Sequence, residues 1–236
     1  MSPTFHSLAI RNYRLYFAGG VVSNIGTWMQ RVAQDWLILQ LTGSAAALGI
    51  TTGLQFLPFL LFSLWGGVLA DRYSKRRVLF ATQALMGALA LTLGVLVLTG
   101  AVVAWHVYLL AFALGSVAAF DNPARQAFTA EMVGREALPN AVGLNSSSFN
   151  LARLVGPALA GVLIAVVGTG PVFIINAFSF VAVIGVLAAM RGRDLTPSPR
   201  TPRERGQLRA AFSYIRSRPE LLLTLVIAFF VGTFGF

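Results

Sequence analysis

Two acid–base couples stand inside otherwise apolar runs of this sequence. Arg31 and Asp35 are four residues apart, and Asp121 and Arg125 repeat that spacing with Pro123 between them. Residues four apart on a helix are neighbours, so each couple is placed to pair. A charge within a bilayer costs about 3 kcal/mol on insertion scales and usually faces a polar interior. Two chemistries are open to such groups. Asp35 or Asp121 can exchange a proton with substrate or arginine in a water-filled cavity. Alternatively, the couples are locks between helices, with no transport chemistry. The lock is the stronger reading for Asp121 and Arg125, which fall near the end of their segment, within reach of the loop around Asp71. Asp35 lies nearer the opposite end of its segment, where a gate and a proton carrier are equally open. Gly20, Asn24, Thr27, Arg31, Gln34 and Asp35 share one helical face, and Asn145, Asn150 and Arg153 add polar atoms to a later segment. Asn24, Arg31, Asp35, Asn150 and Arg153 are the cavity or proton-coupling candidates, with Arg153 the first choice for an internal cavity charge.

Other chemistry finds little support. There is no cysteine, so no disulfide scaffold or thiolate metal site is possible. His6 and His106 are too few and too far apart to build a metal cluster. No Ser/His or His/Glu/His arrangement and no paired catalytic acids are present, so an intramembrane enzyme is remote. No catalytic residue, metal or cofactor is expected. Most of the 18 Phe and 4 Trp fit packing or interfacial roles, and a few are available to line an apolar pocket.

The elements that carry these groups are long and apolar. Of 236 residues, 56% are hydrophobic and 11% charged, against about 25% charged in an average globular domain. Six segments have the ~20 apolar residues that a membrane span needs: 15–39, 45–69, 78–98, 105–128, 138–167 and 171–190. A seventh begins near Leu221 and runs to Phe236, so the sequence reads as truncated within it. Basic residues fall in alternate connections: Arg11 and Arg14, then Arg72 to Arg77, then Arg125 and Arg135, then the arginines of 191–218. By the positive-inside rule these lie in the cytoplasm, together with the N-terminus. The net charge of +10 is thereby explained without nucleic acid. Residues 1–190 are expected to form a six-helix bundle, 191–219 a basic linker, and 220–236 the start of a seventh helix. Within the linker Leu208, Ala211, Phe212 and Ile215 fall at the spacing of a short amphipathic helix at the lipid surface.

A shift of 94 positions aligns the sequence with itself. Arg31 falls on Arg125, Ala33 on Ala127, Gly49 on Gly143, Gly67-Val68-Leu69 on Gly161-Val162-Leu163, and Val78 on Val172. This suggests two three-span units. An odd number of spans inverts the second unit relative to the first, an arrangement found in several transporter folds.

Two motifs narrow the reading. Gly67, Asp71, Arg72, Lys75, Arg76 and Arg77 form a tight charged turn between the second and third segments. Gly143, Ala152, Gly156, Pro157, Ala160 and Gly161 put small residues on one face of the fifth segment, with a proline to bend it. The first resembles the signature of the major facilitator superfamily, with Ser74 where that family usually has glycine. The second resembles its antiporter motif, with Ala152 and Ala160 where glycine is usual. The stretches 24–48 and 122–128 look like the enterobactin-exporter-like branch, which also holds macrolide-efflux relatives. The resemblance implies an all-α membrane protein, with this chain the N-terminal half of a twelve-helix fold in a bacterial inner membrane. It implies proton-coupled efflux of siderophores, drugs or other small organic molecules by alternating access. It implies a cytoplasmic latch of Gly67, Asp71, Arg72, Lys75, Arg76 and Arg77 with Asp121 and Arg125. The expected partners are membrane lipid, a small-molecule substrate and a missing C-terminal six-helix half. Metabolite uptake and a non-transporting scaffold or sensor are the alternatives.

Overall fold

The computed structural model describes residues 3–196 and, beyond them, residues 217, 218, 220 and 223. The amphipathic helix expected in the linker and most of the seventh segment lie outside the described residues. A 3-10 turn, Pro3–Ala9, leads into five α-helices: α1 (Arg11–Thr42), α2 (Ala45–Arg72), α3 (Lys75–Leu98), α4 (Ala104–Val167) and α5 (Thr169–Ala189). Among the described residues there is no strand.

α4 is 64 residues long and, at 1.5 Å per residue, would extend about 96 Å, roughly three times the hydrocarbon thickness of a bilayer. It does not run straight. Gly134 has φ 71° and ψ 179°, a conformation that only glycine adopts without strain. The fourth and fifth predicted segments are therefore two limbs of α4, and the connection expected between them is helical on both sides of one residue. Pro123 and Pro157 lie within the helix, while the backbone break falls at Gly134.

Contacts along α1 fix the direction of each limb. Tyr16 packs edge-on against Phe128 in the first limb, and Leu37 shares a cluster with Val107, so that limb runs antiparallel to α1. On the second limb the Tyr13 hydroxyl donates to the Ala141 carbonyl at 2.9 Å, and Gly156 sits against Trp28. That limb runs parallel to α1. α5 is antiparallel to both α1 and α3: Asn12 Nδ2 donates to the Arg191 carbonyl at 3.0 Å, and Gly170 abuts Leu98.

Three further connections turn on glycines with positive φ, Gly43 at 62°, Gly100 at 70° and Gly168 at 79°. The α2–α3 turn does without one. Ser74 there is extended, with φ −61° and ψ 115°, a conformation open to any residue. This is why serine is tolerated at the position where the resembled signature carries glycine.

The bundle exposes large apolar side chains and encloses a set of polar ones among its apolar core. Leu60, Leu154 and Val166 are each at least 75% exposed, while Gln34, Gln83 and Asp121 are at most 2% exposed. In a soluble protein large apolar side chains this exposed are uncommon in such number, and polar ones are mostly at the surface. Among the described residues, four helical stretches are long and apolar enough to cross a membrane: Ala45–Ser63, Lys75–Leu98, Ala104–Val167 and Thr169–Ala189. α1 is not among them, because Arg31, Asp35 and their polar neighbours dilute its apolar character.

Candidate functional site

A cavity of about 1070 Å³ opens along the polar side of α1, walled by α2 and both limbs of α4. Its lining mixes amides and hydroxyls with phenylalanines, and its charged members are Arg31, Asp121 and Arg125.

Asp121 is held from two helices. Its Oδ1 accepts from Thr82 Oγ1 at 2.6 Å and from Gln83 Nε2 at 2.8 Å, both on α3. Its Oδ2 accepts from Arg125 Nε at 3.1 Å and Nη2 at 2.9 Å. The guanidinium of Arg125 also lies 5.9 Å from the Tyr16 ring centroid on α1. A carboxylate this buried is tolerable only when paired and fully hydrogen-bonded, and both conditions hold. The arrangement is that of a lock joining α1, α3 and α4. Asp71 is exposed at the end of α2 and forms no ion pair with a described residue.

The other expected couple does not close. No ion pair joins Arg31 to Asp35, and Asp35 is absent from the cavity lining. Arg31 instead lies over Trp28, 4.6 Å from the ring centroid, and 5.6 Å from that of Phe56. Asn24 and Asn150 do line the cavity. Arg153, the first choice for a cavity charge, is exposed and outside the lining, with its guanidinium 5.8 Å from the Trp28 centroid. The periodicity placed it on the right helix but one face away from the opening.

The basic residues of the α2–α3 turn divide by partner. Lys75 is buried and pairs with Glu131 at 3.1 Å. Arg76 donates to the Leu187 carbonyl from Nε at 3.0 Å and Nη2 at 2.6 Å, with Ala188 and Met190 carbonyls at 3.3 and 3.4 Å. It thus caps the C-terminus of α5, where unpaired carbonyls and the helix dipole favour a cation. Arg72 and Arg77 are exposed, and Gly67 is half-buried within the last turns of α2.

The small-residue face of the second limb also divides. Ala152 and Ala160 are fully buried. A Cβ on Gly156 would come within 2.5 Å of Trp28 Cβ and 3.1 Å of the Ile25 carbonyl, so this stripe lets α1 approach closely. Gly143 and Gly161 are exposed and contact nothing that a Cβ would meet. Pro157 is half-buried beside the stripe.

Sequence reasoning missed Glu131, Thr82, Gln83 and the Gln30–Asn176 bond of 2.6 Å between α1 and α5. Their signal was present: each is a polar residue in an apolar stretch, of the kind that warrants a search for a partner.

Comparison with known proteins gives the arrangement its context. Residues 2–235 match the family described as transmembrane secretion effector. The staphyloferrin A transporter of Staphylococcus aureus is 30% identical over 173 residues, 72% of this chain and 44% of that protein. Macrolide efflux protein A of Streptococcus pyogenes is 28% identical over 182 residues, 75% of this chain and 44% of the relative. The multidrug efflux pump Tap of Mycobacterium tuberculosis is 31% identical over 186 residues, 77% and 44% respectively. The chain thus spans less than half the length of these relatives. Among solved structures, a peptide transporter POT (E310Q mutant) in complex with alafosfalin superposes with a TM-score of 0.63 at 18% identity, over 94% of this chain and 47% of that one. That likeness carries the fold alone. The chain belongs to the transmembrane secretion effector family of major facilitator transporters, a family of membrane transporters and not of enzymes.

Proposed function

We propose that this chain supplies the N-terminal half of a secondary exporter that moves small organic molecules outward against a proton gradient by alternating access. In this reading the helices make six spans in two inverted three-span units, with the N-terminus in the cytoplasm of a bacterial cell and residues 191–219 linking the halves. The start of the second half falls at 220–236. The observation that carries the reading is the cavity. It holds charged and amide side chains on one side of a bundle whose other faces are apolar. Substrate sites of this fold lie between two halves near the midplane, so the cavity would be one wall of such a site. Asp71, exposed and unpaired among the described residues, would serve as the movable part of a cytoplasmic latch, with the Asp121–Arg125 lock as a fixed part.

Efflux of a fluorescent drug from cells tests this. A transporter completed with a second six-helix half is expected to extrude the dye, and this chain alone to extrude none. A protonophore should abolish extrusion, and Asp71→Asn should reduce it about tenfold while leaving membrane insertion unchanged. Extrusion that survives the protonophore and requires ATP would remove the antiport reading.

A further inference from the structure

The cavity has an excess of one positive charge, and it belongs to Arg31. Of the three charged residues in the lining, Asp121 and Arg125 neutralise each other. Both oxygens of Asp121 are occupied, by Thr82 and Gln83 on one side and Arg125 on the other. Arg31 makes no ion pair and no hydrogen bond to a described residue, and its Nε is buried without an acceptor. It lies against the aromatic rings of Trp28 and Phe56, and Asp35, one turn along, attracts it electrostatically without forming an ion pair or joining the cavity lining. A guanidinium retained inside an apolar bundle with no direct ion pair or hydrogen bond is costly, and an acid that is near but not bonded offsets only part of that cost.

From this geometry we propose that Arg31, seated on Trp28 and Phe56, is the subsite for the carboxylate of an organic anion that carries a flat or aromatic body. The inference rests on the exporter reading above and names its substrate class. Contact with the two rings holds the guanidinium in place, and its N–H groups have no hydrogen-bond acceptor among the described residues. A planar fork of this kind matches the two oxygens of a carboxylate. Phe59 and Phe149 line the same cavity and offer apolar contact to the body of the ligand. Asn24 and Asn150 add amides that orient without adding charge.

The test is equilibrium binding to the purified chain in lipid nanodiscs, with 2-naphthoate and its neutral isostere 2-naphthamide as probes. Calorimetry and tryptophan fluorescence give the two affinities. Naphthoate should bind about tenfold more tightly than the amide. In Arg31→Gln the ratio should fall to about one, and in Arg31→Lys, which keeps the charge but loses the fork, it should fall to an intermediate value. Circular dichroism and gel filtration check the fold. If Arg31→Gln does not fold, Arg31→Lys decides alone. Equal affinity for acid and amide, no binding of either to a folded chain, or an unchanged ratio in the folded variants would each overturn the proposal. Gradient-driven efflux by the completed transporter without acid preference removes this subsite and leaves the exporter standing. An Arg31-dependent preference without gradient-driven efflux does the opposite.

Discussion

Arg31 and Arg125 lie 94 positions apart and coincide when the sequence is shifted by that interval, yet they live in opposite circumstances. Four residues before Arg125 stands Asp121, and the two bond directly. The matching residue before Arg31 is Thr27, whose hydroxyl donates to the Ser23 carbonyl one turn back. The acid near Arg31 is Asp35, four residues after it, and no pair forms. Helical side chains lean toward the N-terminus. A long arginine therefore reaches an acid at the preceding turn and leans away from one at the following turn. The order of the two residues, more than their spacing, decides whether the couple closes. Arg125 thus belongs to a neutral lock, whereas Arg31 lies beside aromatic rings with Asp35 near but not bonded.

The largest effect should come from breaking the lock. Asp121→Asn leaves Arg125 partly buried beside a neutral amide, and loss of one partner from such a pair costs about 3–5 kcal/mol. Chemical unfolding in detergent, followed by helical ellipticity, measures it. Adding Arg125→Met to Asp121→Asn should restore more than half of the loss, because the uncompensated charge goes with it. A cost below about 1 kcal/mol for Asp121→Asn would make the two arginines equivalent after all.

The α2–α3 turn extends the contrast to a second pair of like residues. Lys75→Met breaks a pair whose side chains are 7% and 9% exposed, and a loss of about 3 kcal/mol is expected. Arg77 is exposed, and Arg77→Met should stay within about 0.5 kcal/mol. Equal costs would mean that the turn acts as one cationic patch. The resemblance alone suggests that, since it treats the basic residues as a single latch.

These residues also show how far the sequence could be read. Apolar runs placed the first, second, third and sixth segments within a few residues, while the fourth and fifth, expected as separate helices, are two limbs of one helix broken at Gly134. The segment expected at 15–39 appears as Arg11–Thr42, and that at 78–98 as Lys75–Leu98. The Asp121–Arg125 couple was visible because both partners lie on one helix. Lys75 with Glu131 and Asp121 with Gln83 were not visible. They join residues 56 and 38 positions apart in sequence, and helix periodicity says nothing about which faces meet. Arg153 illustrates the same limit. Its helix was readable, but which side of that helix opens on the cavity depends on how the second limb packs against α1. Gly156 was readable as a small residue, and its contact with Trp28 supplies the reason for its size.

The smallest effect sharpens the contrast most. Arg31→Gln removes a cation that forms no direct ion pair with a described acid, so two terms oppose each other. Loss of the contacts with Trp28 and Phe56 costs about 0.5–2 kcal/mol. Relief from keeping an unpaired charge in an apolar bundle returns a similar amount. The net change in unfolding free energy should lie within about 1 kcal/mol of zero, several-fold smaller than for Asp121→Asn. A cost of 3 kcal/mol or more, on the order of a broken buried pair, would mean that Arg31 has a structural partner and belongs with Arg125. A stability change near zero would mark Arg31 as a residue that the fold tolerates and does not need, as expected of a group held ready for something outside the chain.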